Sequence, residues 1–264
     1  MMRIATTLAL AISLTGCVSS TSGKAAAQKT SVATASAGAL TVELLTDDRL
    51  ETGLTPIYLK VTTASGAVVT DAIVTFTPMM SMTSGVSHTA PVLGPPTLGA
   101  DGLYRCDVVF QMATGMMGSW SATVGVTRPG ADAVEASFPS LTIADSGCAR
   151  TFAYFDPVLT ATTKYVSSLN FEAAPKVGLN PVVVTLHRME DMMTFVPVDD
   201  ATVALDPQMP SMGHGSPGSV DPSLASSGIY EGKLSFSMAG DWETTVTFRR
   251  SGVIIGTPKF TTSF

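Results

Sequence analysis

The feature that most constrains this chain is that it is written twice. Gly53–Val61 (GLTPIYLKV) matches Gly178–Leu186 (GLNPVVVTL), and Asp71–Met79 matches Asp200–Gln208. Gly102-Leu103-Tyr104 then matches Gly228-Ile229-Tyr230, and Gly118–Val124 (GSWSATV) matches Gly240–Val246 (GDWETTV). Four matches in one order, at an offset of about 125 residues, define an internal duplication. Whatever one copy folds into, the other must approximate.

Each copy alternates with period two. In the second, Tyr230, Leu234, Phe236 and Met238 share one parity, and Glu231, Lys233, Ser235 and Ser237 share the other. Trp242, Thr244, Val246 and Phe248 continue the pattern after a turn at Met238–Trp242, as Tyr104, Cys106, Val108, Phe110 and Met112 do in the first copy. One apolar side at period two predicts half-buried antiparallel strands. Charged residues are only 14% of the chain, and the Thr, Val, Ser, Ala and Gly that replace them favour strands and turns over helices. Roughly seven short strands in about 100 residues per copy predict an all-β chain of two tandem immunoglobulin-like β-sandwich domains. The expected spans are 38–147 and 148–264, with Tyr104, Trp120, Tyr230 and Trp242 as core anchors.

The N-terminus reads as an export signal. Arg3 precedes an apolar run, Ile4 to Leu14, that is about half the ~20 residues a membrane helix needs. The run ends at Leu14-Thr15-Gly16-Cys17, which resembles the bacterial lipobox and implies cleavage after residue 16 with lipidation of Cys17. Residues 17–37, rich in Ala, Ser and Thr, are expected to be a flexible tether. Val18 behind the lipidated cysteine resembles lipoproteins sorted to the outer membrane, and the periplasmic side is the expected one. The lipid would then be the sole membrane anchor. A net charge of −6 without a basic stripe excludes a nucleic-acid partner. Export permits a disulfide between Cys106 and Cys148, although Cys106 also has the parity of a buried core thiol.

No enzyme signature is present. The histidines are His88, His187 and His214, and no nucleophile elbow, His-Glu-x-x-His or phosphate-binding glycine loop occurs. The acidic pairs Asp47-Asp48, Glu190-Asp191 and Asp199-Asp200 fit solvated turns, and His187 in Val-Thr-Leu-His-Arg reads as structural. The methionines carry the chemical signal: of fourteen, all but Met1 and Met2 lie beyond the leader, and they cluster. Met209-Pro210-Ser211-Met212-Gly213-His214 follows Pro207, and Met79-Met80-Ser81-Met82 with the more distant His88 follows Pro78 at the matching point. Thioether sulfur is a soft, neutral donor suited to Cu(I), and imidazole adds a stronger one. The expected metal ligands are therefore Met209, Met212 and His214, with Met238 a fourth donor, and a weaker second site at Met80, Met82 and His88. Methionine is also an adaptable core filler and contact residue. Met112, Met192 and Met193 fit packing or turn roles.

The run from Met209-Pro210-Ser211-Met212-Gly213-His214 through Gly228-Ile229-Tyr230 to Met238-Ala239-Gly240-Asp241-Trp242 and Val246 resembles the YtkA-like/FixH-like domain family. The first copy resembles a diverged sibling that lacks the His-Gly step and has an expanded turn at Ala113–Gly118. The resemblance implies small exported β-sandwiches associated with copper handling and cytochrome oxidase assembly. It points to a non-enzymatic envelope lipoprotein that binds or relays copper to an acceptor protein. The alternative is a metal-free structural module that presents its surfaces to another envelope protein.

Overall fold

The computed structural model describes residues 29–158 and 160–264, so the leader and Cys17 lie outside the described residues. Among the described residues there are twenty strands and no helix, and hence no helix long and apolar enough to cross a membrane. The first copy contains β1 (Thr30–Ala37), β2 (Leu40–Thr46), β3 (Gly53–Thr63), β4 (Ile73–Met82), β5 (Ser87–His88), β6 (Thr97–Leu98), β7 (Tyr104–Phe110), β8 (Gly118–Thr127) and β9 (Val134–Leu141). The second contains β10 (Ala149–Asp156), β11 (Ala161–Phe171), β12 (Gly178–Met189), β13 (Phe195–Pro197), β14 (Ala201–Met209), β15 (His214–Gly215), β16 (Val220–Ser226), β17 (Ile229–Phe236), β18 (Asp241–Arg250), β19 (Val253–Gly256) and β20 (Lys259–Ser263).

The duplication survives in the topology. The first copy pairs a β1-β2-β3-β7-β6 sheet with a β5-β4-β8-β9 sheet. The second pairs β10-β11-β12-β17-β16, with β13 on β12, against β15-β14-β18-β19, with β20 on β18. Each sandwich closes over its own core, one around Trp120 and Phe110, the other around Trp242 and Phe236. Paired details repeat as well. Tyr104 and Tyr230 accept hydrogen bonds on their hydroxyls from the amides of Ala72 and Ala201, at 3.1 and 3.3 Å. Arg128 grips Asp71 with two hydrogen bonds, as Arg250 grips Asp200. Each guanidinium holds its partner carboxyl below the ordinary range.

The structure departs from the sequence-based expectation at the start of the first sandwich. Residues 30–37, assigned by composition to the tether, form β1, which pairs along β2 from Thr30↔Thr46 to Ala37↔Leu40. Val32, Ala33 and Ala35 pack on the core and Ala37 is fully buried. Their side chains are too small to signal a strand, and it is the pairing with β2 that orders them.

A second finding is how the sandwiches meet. On β11 and β12 the parity of Tyr165, Leu169, Val184 and Leu186 faces the core. The opposite parity, including Val166, Ser168, Thr185 and His187, is nevertheless buried, at 0 to 3% exposed. It is covered by the first sandwich. The Asn170 carboxamide accepts from the Leu54 amide at 3.0 Å and donates to the Leu54 carbonyl, and the Thr89 amide donates to the Met192 carbonyl at 2.9 Å. Within this face Ser168 and Thr185 satisfy each other at 2.8 Å. Asn170→Ala should leave the Leu54 amide without a partner in a covered interface, at a cost of about 1–3 kcal/mol. Hydrogen exchange at Leu54 would reveal this, whereas unchanged protection there would show that Asn170 does not hold the joint.

Candidate functional site

The Met209–His214 segment forms a hairpin because β14 ends at Met209 and the chain returns at once. Met209 pairs with His214, and the amides of Met212 and Gly213 both donate to the Met209 carbonyl, at 3.1 and 2.9 Å. Gly213 sits at φ 67°, a left-handed conformation that glycine adopts without strain. As cross-strand partners, Met209 and His214 share one face of the sheet. Met209 is 3% exposed in the core, whereas half-buried His214 stands edge-on to Trp242, with ring centroids 5.9 Å apart.

His214 Nδ1 lies 3.1 Å from the Gly215 carbonyl oxygen. A carbonyl only accepts, so Nδ1 is the donor there and Nε2 is the nitrogen not used in that bond, the orientation seen in metal-ligating imidazoles. Trp242 donates its indole N–H to the Met238 carbonyl at 3.0 Å, which fixes the β17–β18 turn beside the ring. Gly240 in that turn has φ 137°, a conformation that favours glycine, and a Cβ there would lie 3.0 Å from Met209 Cε, so the turn packs against the thioether methyl. The four sequence-predicted donors therefore lie on the Met209–His214 hairpin and at the β17–β18 turn, at unequal depths. Met209 is buried and His214 half-buried, while Met212 and Met238 are 61% and 41% exposed. Among the described residues no three His, Cys, Asp or Glu side chains form a metal cluster, so any metal held here would rest on thioether sulfur.

The first sandwich repeats the arrangement in closed form. Met80 pairs with His88, and His88 stands edge-on to Trp120 with centroids 5.7 Å apart. Trp120 donates to the Met112 carbonyl at 2.9 Å, as Trp242 does to that of Met238. The longer spacing to His88 is absorbed by the turn after β4, without loss of the pairing. Here, however, His88 is 5% exposed, the Gln111 carboxamide reaches both its Nδ1 and the Thr89 carbonyl, and the Met192 turn of the second sandwich lies on Thr89. Met82 packs partly buried against the core.

Beside the hairpin of the second sandwich, Ser216 carried no signal in the single-copy pattern and Thr244 showed only the inward parity of its strand. Ser216 and Thr244 flank Pro207: the Ser216 amide donates to the Pro207 carbonyl, and Thr244 is the register partner of Pro207. Both hydroxyls are buried without a partner. The matching residues of the first sandwich are Ala90 and Ala122, so a residue-by-residue comparison of the copies does reveal them.

The cysteines do not bridge. Both are free thiols; Cys106 faces the first core opposite Ile57, whereas Cys148 lies against Gly53, four residues along the same strand. At ~3.3 Å per residue this puts roughly 13 Å between them, well beyond disulfide reach. Burial pushes the Cys106 thiol up to about 12, which leaves it protonated and inert.

Fold and site together define a two-module β-sandwich protein in which each module ends in a Met–His pair against a tryptophan edge. The family model described as YtkA-like matches residues 34–125 and 161–247, one match per sandwich. The chain belongs to the YtkA-like family. No curated protein matches it. Among solved structures, the Escherichia coli adhesin FdeC is 17% identical, with 86% of this chain and 65% of that chain covered at a TM-score of 0.25. Invasin, a bacterial integrin-binding protein, is 14% identical, with 85% and 39% covered at a TM-score of 0.28. The chain thus spans less than two thirds of either, and neither likeness bears on its function.

Proposed function

We propose that this chain is a non-enzymatic, exported lipoprotein, anchored to the outer membrane through Cys17 and facing the periplasm, that binds or relays copper at the hairpin end of its second sandwich. The observation that carries this reading is the Met209–His214 pair with His214 edge-on to Trp242, together with exposed Met212 at the tip of the same hairpin and exposed Met238 at the β17–β18 turn. The donor set, soft sulfur plus one imidazole with an available Nε2, suits Cu(I) and suits magnesium or calcium poorly. His214 with the exposed thioethers would receive the ion, and Met209 would back it from the core. The closed Met80–His88 pair, with Met82 turned partly into the core, would be the weaker site. Titration of the full chain with Cu(I) against a competing chelator tests the proposal. Met212→Ala and His214→Ala should each weaken binding at least tenfold, about 1.4 kcal/mol, without lowering thermal stability. Equal, weak binding by the wild type and both variants would remove copper from the account.

A second reading is favoured by the depth of Met209 and the exposure of Met212, which place two of the donors in different environments. On that reading the exposed methionines, Met116 at 94% among them, are adaptable contacts for another envelope protein. Capture of one stoichiometric partner, unchanged by metal chelation, would favour it over copper.

A further inference from the structure

The joint between the sandwiches contains a cavity of about 430 Å³. Val92, Leu93 and Gly94 of the first sandwich form one wall, and Phe195, Pro197 and Ile229 of the second form another. His187 lines it too. This histidine is 3% exposed, and its Nδ1 is buried with no hydrogen-bond partner. A buried ring nitrogen left unsatisfied is costly, and such groups in native proteins normally meet a ligand or an ordered water. The ring sits under Gly228, where a Cβ would approach within 3.1 Å of His187 Cε1 and 2.9 Å of the Leu186 carbonyl.

We propose that this interdomain cavity is a binding site for a small uncharged molecule with an apolar body and a single hydroxyl or amide head, the head bonding to His187. The volume falls in the range of small-molecule sites. Apolar residues make up most of the wall, and the remaining polar ones, Ser226 and Ser227, are neutral. An ionic ligand would lose its hydration without gaining a counter-charge, which selects against carboxylates and ammonium groups. Burial holds His187 at about 4, so the imidazole is neutral near pH 7 and offers one donor and one acceptor. Both sandwiches contribute to the wall, so an occupant would also brace the joint.

Three histidines give a histidine NMR spectrum in which His187 can be assigned by substitution. The full chain is titrated with benzyl alcohol, benzoate and benzylamine, identical in ring but differing in charge. The expected result is a saturable shift of the His187 ring signals with benzyl alcohol, and binding at least tenfold weaker for the two ions. Ser227→Phe, which fills the cavity from its exposed rim, should abolish the shift while His187 keeps its buried signature. His187→Leu should erase the preference for benzyl alcohol over toluene. The proposal is overturned if benzoate or benzylamine binds as well as the alcohol, or if no probe moves His187 at millimolar concentration. It is equally overturned if a crystal soaked in the alcohol shows only an ordered water on the ring.

Discussion

Trp242→Ala is expected to destabilise the second sandwich by about 3–5 kcal/mol, the range for truncating a fully buried large aromatic. Trp242 is 1% exposed, packs against Phe236 at 5.2 Å and ties the β17–β18 turn through the Met238 carbonyl. It is also the surface on which His214 stands. The same substitution should therefore free the Met209–His214 hairpin as well as open a cavity. Trp242→Phe keeps most of the buried area but drops the indole N–H, and a smaller loss is expected. Denaturant unfolding followed at second-sandwich amides would measure both. A loss below about 1 kcal/mol for the alanine variant would show that the indole is not the anchor of that end.

Acidification should loosen the joint between the sandwiches. Burial lowers His187 from its ordinary 6.5 to about 4, against a weak opposing pull from Asp199. The folded chain therefore binds fewer protons than the unfolded one between these values, and stability falls as pH falls. The contribution is complete above pH 6.5 and is lost progressively as the pH approaches 4, about 3 kcal/mol in all. Urea unfolding across this range should show the slope, and His187→Leu should flatten it. A wild-type slope no steeper than that of the variant would mean that the ring is solvated in the native state.

What the sequence disclosed follows from which forces leave a pattern in it. The duplication, the inward parity of Tyr104, Cys106, Val108 and Phe110, and the two tryptophan anchors were all legible, because core burial imposes period two. β1 was not legible, since Thr30–Ala37 contributes only Val32 and small residues, and its order comes from pairing with β2. The joint was hidden for a related reason. The outward face of β11 and β12 includes Ser168, Asn170, Thr185 and His187, polar side chains that leave no apolar pattern in the sequence to mark the face as covered. Met238 has the core parity of its strand, but the strand ends at Phe236 and the side chain is 41% exposed.

At the candidate site the sequence reading put Met209, Met212 and His214 in a loop after a strand; the structure folds that loop into a hairpin that leaves the three side chains at different depths. A Met-x-x-Met-x-His spacing can be drawn as three donors meeting in a loop. A tight hairpin instead sends Met209 and His214 to the inner face and leaves Met212 at the tip. For the first copy, spacing understated the likeness, because the longer turn after β4 preserves the Met80–His88 pair. The free Cys106 and Cys148 show the same limit: export permits a bridge, but only the register of β3 reveals that the two thiols lie at different heights.

The proposed copper site is tested most directly by the two indole N–H signals of the full chain, one for Trp120 and one for Trp242, recorded while Cu(I) is added without oxygen. Because His214 stands on Trp242 and His88 is shut in beneath Gln111, the first equivalent of Cu(I) should move the Trp242 signal and leave that of Trp120 in place. If neither signal moves, or both move together only in excess metal, the second-sandwich hairpin is not a copper site.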